Sequence, residues 1–182
     1  MKTNPRPGRA GFTLIELMAV ITIIVLLAAL IVGGMGYVME KQNKEKAKVQ
    51  MSLISKALEE YKLENGTYPA TANSSDGSKQ SHILYNALYY NDGDKTKKVY
   101  LPELDPGTTA NPNKQGWTEI GQQVINDPWG NEYRYRTAVN SSGGANSSTL
   151  NPDFDLWSCG KDGQSNPGSP GAAVNKDDIQ CP

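Results

Sequence analysis

The pattern of apolar and polar residues divides the chain into a short apolar segment and a longer mixed segment. From Leu17 to Val38 the sequence holds no charged side chain, a run of about 22 residues. As a helix this run is roughly 33 Å long at about 1.5 Å per residue, enough to cross a bilayer core of about 30 Å. The pattern therefore predicts one transmembrane helix.

Basic residues precede this run, and one acidic residue lies at its edge. Lys2, Arg6 and Arg9 fall in the first eleven residues, which hold no acid, and Glu16 follows them. Because Lys and Arg stay on the cytoplasmic side, we expect everything after the run to lie outside the inner membrane. A secretory signal peptide has the same order, but its apolar run is about 7–15 residues long and precedes a small-residue cleavage site. Here the small residue, Gly11, comes before the run, so a signal peptide fits poorly.

The apolar run continues into an amphipathic helix. Apolar residues recur at intervals of four and three, the spacing of one helix face: Ala47, Met51, Ile54, Leu58 and Tyr61. No proline interrupts the path from Phe12 to Glu64, and Asn65-Gly66 supplies a helix stop. One helix of about 53 residues is predicted, with its second half packed on a globular domain.

Beyond this helix, short elements alternate with polar loops. Residues 83–88 predict a short helix that lies over the long one. Residues 127–135 predict a turn and then a strand in which Tyr133 and Tyr135 share a face, and residues 154–157 belong to a second strand. The predicted fold class is α+β: a long N-terminal helix, with a transmembrane and an amphipathic half, packed on a small antiparallel sheet.

Charge and composition exclude two classes of function. The net charge is −1, and no basic stripe occurs outside the first eleven residues, which argues against a nucleic-acid partner. His82 is the only histidine and lies in a polar loop without a nucleophile pattern around it. Two cysteines with one distant histidine do not make a zinc site. The sequence therefore predicts that the protein is not an enzyme.

The segment Gly11–Glu16, with the sequence GFTLIE, and the charge-free helix after it resemble the processing site of type IV pilins and type II secretion pseudopilins. The resemblance implies that prepilin peptidase cuts after Gly11 and methylates the new N-terminal residue, Phe12. It also implies three segments: a leader peptide at residues 1–11, the transmembrane and assembly half of the helix at residues 12–38, and a periplasmic α+β head at residues 39–182.

Glu16 has three interpretations in this setting. A carboxylate in hydrocarbon is costly, about 2.5–3.5 kcal/mol for Asp at mid-membrane, and is usually kept for a function. Glu16 could stay hydrated at the headgroup level, or pair with the free amine of Phe12 on a neighbouring subunit and set the axial register during assembly. It could also bond with Phe12 of its own helix, four residues away. The sequence leaves the three open.

Two later segments resemble the major pseudopilin of type II secretion. They are residues 127–135, which begin Asp-Pro-Trp-Gly-Asn, and residues 155–163, and the resemblance covers most of residues 11–69 and 124–163. It implies a structural subunit of the periplasmic pseudopilus, which polymerises with itself to drive protein export across the outer membrane. The implied partners are prepilin peptidase, the minor pseudopilins and an inner-membrane assembly platform.

The implied location is the inner membrane, with a single pass and the head in the periplasm, and then a periplasmic fibre. The alternative is a type IV pilin, the subunit of a surface fibre for adhesion or motility, which shares the whole N-terminal argument.

The C-terminal segment holds candidate Ca²⁺ ligands. On composition alone its aspartates and glycines indicate a solvated turn, and the spacing is not that of an EF-hand. Major pseudopilins bind Ca²⁺ in the corresponding loop, so the resemblance implies a site at Asp162 and Asp178, with Asp177, Ser158 and nearby carbonyls as further candidates.

Cys159 and Cys181 are the only two cysteines. Because the segment is expected in an oxidising compartment, a disulfide between them is predicted, and it would close the loop that bears the aspartates. Type IV pilins have a similar C-terminal disulfide loop, so the cysteine pair favours the alternative.

Overall fold

The computed structural model describes residues 12–72, 74–78, 80–94, 96–112 and 116–181, with the side chains of residues 31–35 left out. The expected leader, including Gly11, lies outside the described residues. The chain divides between Lys41 and Gln42 into two compact units.

The long helix α1 runs Leu14–Asn65 and passes through the division between the units. Its bounds differ from the predicted ones by one or two residues, so the prediction of one continuous helix is confirmed. At its end the N–H of Gly66 donates to the carbonyl of Lys62 at 2.7 Å, the helix stop expected from Asn65-Gly66.

The first unit exposes apolar side chains along α1, among them Leu14 and Leu30, which are 76% and 74% exposed. Among the described residues, however, no helix is both long enough and apolar enough to cross a membrane. The predicted span includes residues 31–35, whose side chains are not described.

The second unit forms its core on the inner face of α1. Met51, Ile54 and Leu58 are fully buried, as their spacing predicts, and Tyr61 is half-buried beside them. Burial of a large apolar side chain contributes about 1.5–3 kcal/mol, so this face is a main source of the unit's stability.

A short helix, α2 (Ser81–Tyr85), contributes Leu84 and Tyr85 to the same core and continues into a π-helical turn, Asn86–Tyr90. Because this turn ends at Tyr90, the carbonyl of Leu88 has no partner within it and accepts two tertiary hydrogen bonds, from the N–H groups of Tyr100 and Leu101 at 2.9 and 3.1 Å. The helix predicted over residues 83–88 therefore forms, and its irregular end fastens the chain near residue 100.

The described residues contain two small antiparallel sheets. β1 (Gly107–Thr108) pairs with β2 (Asn111–Pro112). β3 (Arg134–Thr137), β4 (Phe154–Ser158) and β5 (Ile179–Gln180) form a second sheet with β4 in the centre. The predicted α+β class and antiparallel sheet are confirmed.

The register of the second sheet separates a core face from an outer face. Tyr135 pairs with Leu156, and both are buried against the core. Arg136 pairs with Asp155 on the opposite face, because neighbouring residues of a strand point to opposite sides. The central strand β4 ends at Ser158, which brings the C-terminal loop next to the turn that precedes β3.

Candidate functional site

The start of α1 holds the described part of the processing segment. The side chain of Phe12 is 89% exposed. The carboxylate of Glu16 accepts the N–H and the hydroxyl of Thr13 at 2.8 and 2.7 Å, and the N–H of Glu16 donates back to the Thr13 hydroxyl at 3.3 Å. This reciprocal arrangement is a capping box.

The capping box adds a local role for Glu16 that the sequence interpretation missed. The signal was present, because Thr13 and Glu16 form the T-x-x-E pattern ahead of an apolar run. In this chain Glu16 has partners on its own helix, and its pairing with the amine of a processed Phe12 stays a prediction.

The C-terminal loop brings Asp162 into contact with Asp177, which precedes Asp178 in the chain. The N–H of Asp162 donates to the carboxylate of Asp177 at 3.0 Å, although the two residues are fifteen positions apart. One oxygen of Asp178, Oδ2, accepts the hydroxyl of Ser165 at 2.6 Å. Its other oxygen, Oδ1, is buried and has no hydrogen-bond partner among the described residues.

Four influences act on the pKa of Asp178. Burial raises the pKa of its carboxyl group, and the hydrogen bond from Ser165 lowers it. The negative charges of Asp177 and Asp162 raise the pKa further, since like charges disfavour ionisation. The positive charge of Arg134 lowers the pKa. A cation at this place would favour the ionised form of Asp178, because its charge would offset both the cost of burial and the repulsion from the neighbouring acids.

The side chain of Ser158, a further candidate ligand, bonds Asp127 and not the candidate aspartates. It is fully buried at the end of β4, and its hydroxyl donates to Asp127 Oδ2 at 2.5 Å. The same hydroxyl accepts the N–H of Gly160 at 3.0 Å. Because the hydroxyl donates to Asp127, the structure places Ser158 with the 127–131 turn and not as a partner of the three aspartates.

Asp127 is the site residue that sequence reasoning did not single out. It is 2% exposed, and its Oδ1 accepts the N–H groups of Trp129 and Asn131 at 3.0 and 2.9 Å. Burial raises the pKa of Asp127, while the hydrogen bonds from Ser158 and the backbone lower it. An aspartate before Pro-x-Gly is a common start of such a turn, so its role in the turn was readable, but its bond to Ser158 was not.

The two cysteines are free thiols, so the predicted disulfide does not form in the structure. The sheet register explains why. The N–H of Cys181 donates to the carbonyl of Leu156 at 2.9 Å, which places Cys181 opposite Leu156. Cys159 lies three residues further along, about 10 Å at ~3.3 Å per residue, whereas a disulfide needs Cα atoms within about 4.4–6.8 Å.

The fit to a metal ion rests on few groups. Among the described residues, no three His, Cys, Asp or Glu side chains are grouped closely enough to hold a metal ion. A hard cation would use the oxygen of Asp178 that has no partner within the described ranges, together with the nearby charges of Asp162 and Asp177. Ca²⁺ takes six to eight oxygens, including backbone carbonyls, so a site here would draw several ligands from the loop backbone.

Two family models match the chain. Residues 6–32 match the prokaryotic N-terminal methylation motif. Residues 35–81 and 100–179 match the type II secretion system (T2SS), protein G. The second match includes the amphipathic half of α1, the sheet of β3 to β5 and the loop with the three aspartates.

Curated relatives with a corresponding name align with this chain over most of their length. The type II secretion system core protein G of Escherichia coli is 36% identical over 155 residues, which cover 85% of this chain and 83% of the relative. The protein of the same name from Pseudomonas aeruginosa is 32% identical over 164 residues, covering 87% and 88%. The one from Vibrio cholerae is 28% identical over 174 residues, covering 94% of each.

Proposed function

The chain belongs to the type II secretion system protein G family, and we propose that it acts as a major pseudopilin, the structural subunit of the type II secretion pseudopilus. The observation that carries this function is the match of one family model to both the helix and the C-terminal half of the head, behind a methylation motif. Membership of this family implies that copies polymerise and assemble with other secretion components. The role is structural and requires no catalytic residue.

The finer proposal concerns processing and location. Prepilin peptidase would cut after Gly11 and methylate Phe12, which the methylation motif at residues 6–32 supports. The precursor would be held in the inner membrane by the first half of α1, with the head in the periplasm. Minor pseudopilins and the inner-membrane assembly platform would then extend the fibre.

The type IV pilin alternative loses its main support. That support was a C-terminal disulfide loop, and Cys159 and Cys181 are both free. A deletion of the gene in its own bacterium separates the two functions. We expect exported proteins to be lost from the medium while surface fibres and twitching motility persist. Loss of surface fibres with normal export would instead identify a type IV pilin.

Processing can be tested with two glycines of the same leader. Gly11→Leu should leave a precursor that keeps its first eleven residues and fails to restore export in the deletion strain. Gly8→Leu is the matched control, because it changes the leader equally and leaves the proposed cleavage site intact. Mass spectrometry of the purified chains measures both outcomes, and cleavage of the Gly11→Leu chain after residue 11 would contradict the proposal.

We further propose that the C-terminal loop binds Ca²⁺ through Asp178 and Asp162, with Asp177 beside them and backbone carbonyls completing the shell. Support comes from the buried oxygen of Asp178, which has no hydrogen-bond partner in the described part of the chain, and from the repulsion that Asp162 and Asp177 exert on Asp178. When bound, the ion would supply positive charge that neutralises this cluster and fixes the loop on β4 and β5.

Calcium titration of the full chain in detergent tests this site. Isothermal titration calorimetry should detect one Ca²⁺ per chain, and Asp178→Asn should abolish or strongly weaken the signal. Asp92→Asn is a suitable control, because Asp92 is an exposed aspartate in a different loop of the head. The absence of Ca²⁺ binding by the unaltered chain would contradict the proposal.

A further inference from the structure

The backbone of Gly160 is held from the side of the turn at residues 127–131. The side-chain amide of Asn131 donates to the carbonyl of Gly160 at 2.7 Å. The N–H of Gly160 donates to the hydroxyl of Ser158 at 3.0 Å, and that hydroxyl is held by Asp127. Both polar groups of Gly160 are therefore fixed by contacts that lead back to one turn.

The turn itself is closed by hydrogen bonds that fix the direction of Asn131. The N–H of Asn131 donates to the Asp127 carboxylate at 2.9 Å, and the N–H of Asp127 donates to the carbonyl of Asn131 at 2.7 Å. The N–H of Gly130 also donates to the carbonyl of Asp127 at 3.0 Å. Since Asp127 binds both Asn131 and Ser158, one buried carboxylate holds both contacts to Gly160.

The other side of Gly160 lies against the segment that carries the remaining acids. A Cβ atom placed on Gly160 would overlap the carbonyl oxygen of Asp177. Two residues after Gly160, the N–H of Asp162 donates to the side chain of Asp177. The position of Gly160 therefore sets how Asp162 approaches Asp177 and Asp178.

From these contacts we infer that the turn at residues 127–131 positions the Ca²⁺-binding loop, with Asn131 as the positioning residue. The inference rests on the proposed Ca²⁺ site and deepens it. Asn131 would not itself be a ligand: it holds the Gly160 peptide so that the Asp162 and Asp177–Asp178 segments keep one spacing. Loss of partners that orient metal ligands typically weakens metal affinity by about 10- to 100-fold.

The test compares the Ca²⁺ affinity of full-length variants in detergent. Asn131→Ala should weaken Ca²⁺ binding by about 10- to 100-fold, although every proposed ligand remains. Asn140→Ala is the matched control, because Asn140 organises a different turn by accepting the N–H groups of Ser142 and Gly144. We expect its Ca²⁺ affinity to be unchanged even if its melting temperature without calcium falls as much as that of Asn131→Ala.

A second variant covers the case in which Asn131→Ala does not fold. Asn131→Asp keeps the shape of the side chain and the backbone contacts of the turn, but it cannot donate to the carbonyl of Gly160. Its added negative charge alone would tighten cation binding, so weaker binding in this variant would come from the lost donor.

The outcomes separate this inference from the Ca²⁺ proposal. Ca²⁺ binding by the unaltered chain, with an equal affinity in the Asn131 variants, would overturn the positioning role and leave the Ca²⁺ site standing. No Ca²⁺ binding by the unaltered chain would overturn both. Weakened binding in the Asn131 variants alone supports the positioning role.

Discussion

At the scale of single residues, Gly160 is tightly constrained by its backbone conformation and by its neighbours. Its φ is +62°, in the left-handed region that favours glycine, and the carbonyl of Asp177 fills the place of a Cβ. Gly143 has a similar φ of +79°, but a Cβ added there would have no heavy atom within 4 Å. The two glycines therefore separate the cost of the backbone conformation from the cost of the close contact.

We predict that Gly160→Ala destabilises the protein clearly more than Gly143→Ala. The control should lose about 1–2 kcal/mol, the usual cost of a left-handed conformation for an L-residue. Gly160→Ala should lose that amount and, in addition, the energy needed to push the Asp177 backbone away. Urea unfolding of the two full-length variants measures the difference. Equal losses in the free energy of unfolding would show that the Asp177 backbone moves aside at no measurable cost.

At the scale of elements, β3 and β4 are joined on their outer face by a buried ion pair. Arg136 Nε donates to Asp155 Oδ2 at 2.7 Å, and the two side chains are 2% and 6% exposed. Asp155 also accepts the N–H groups of Leu150 and Asn151 at 2.8 and 2.9 Å, which fastens the loop before β4. The Arg136 guanidinium lies 5.1 Å from the ring of Trp157.

Removal of one partner of this pair should be far more costly than breaking an exposed pair. Asp155→Ala would leave the Arg136 charge buried and is expected to cost about 3–5 kcal/mol. The matched control is Asp153→Ala, which breaks the exposed pair with Lys62 and should cost about 0–1 kcal/mol. Chemical unfolding of both variants gives the comparison, and similar small losses would mean that Arg136 finds other partners or water.

The start of α1 gives one carboxylate two roles, one seen in the structure and one proposed. Glu16 caps the helix by accepting from Thr13, and it carries the charge proposed to pair with a processed Phe12 on a neighbouring subunit. A glutamine at this position keeps an oxygen for the cap but has no charge.

We expect Glu16→Gln and Glu16→Ala to be processed normally and to block fibre assembly to the same extent, because the charge is lost in both. Thr13→Ala removes the capping hydroxyl and keeps the charge, so it should assemble at a cost of about 0.5–2 kcal/mol in helix stability. Electron microscopy of fibres from cells that overproduce each variant measures assembly. Normal fibres from Glu16→Gln would reduce the role of Glu16 to the cap.

At the scale of the whole molecule, the C-terminal segment is held by strand pairing and side-chain contacts instead of a covalent bond. β5 pairs with β4, and Cys181 contributes its backbone N–H to that pairing. The proposed Ca²⁺ ion would add a further tie to the loop between them.

Chelation and reduction should therefore have different effects on thermal stability. With Ca²⁺ at about 100 times its dissociation constant, the bound ion adds about 2.7 kcal/mol, so EDTA should lower Tm by roughly 5–10 °C. A reductant should leave Tm unchanged, since both thiols are free. Calorimetry of the full chain in detergent measures both effects, and a lower Tm under reducing conditions would indicate a disulfide.

The sequence predicted those parts of the fold that depend on neighbours in the chain. Met51, Ile54 and Leu58 are buried because a spacing of three and four residues returns to one face of a helix. Tyr133 and Tyr135 share the core face because a strand repeats every two residues. The π-helical turn after α2 was not predicted, since it depends on the distant N–H groups of Tyr100 and Leu101.

The sequence by itself determined the family, the continuous helix α1, the position of the turn at residues 127–131 and the strands after it. Only the tertiary structure decided which partner each site residue has. It turned Ser158 towards Asp127, left an oxygen of Asp178 buried without a partner among the described residues and kept Cys159 apart from Cys181. The physical reason is that helix and strand periods are fixed by residues a few positions apart, whereas these contacts depend on the register between segments that are distant in the chain.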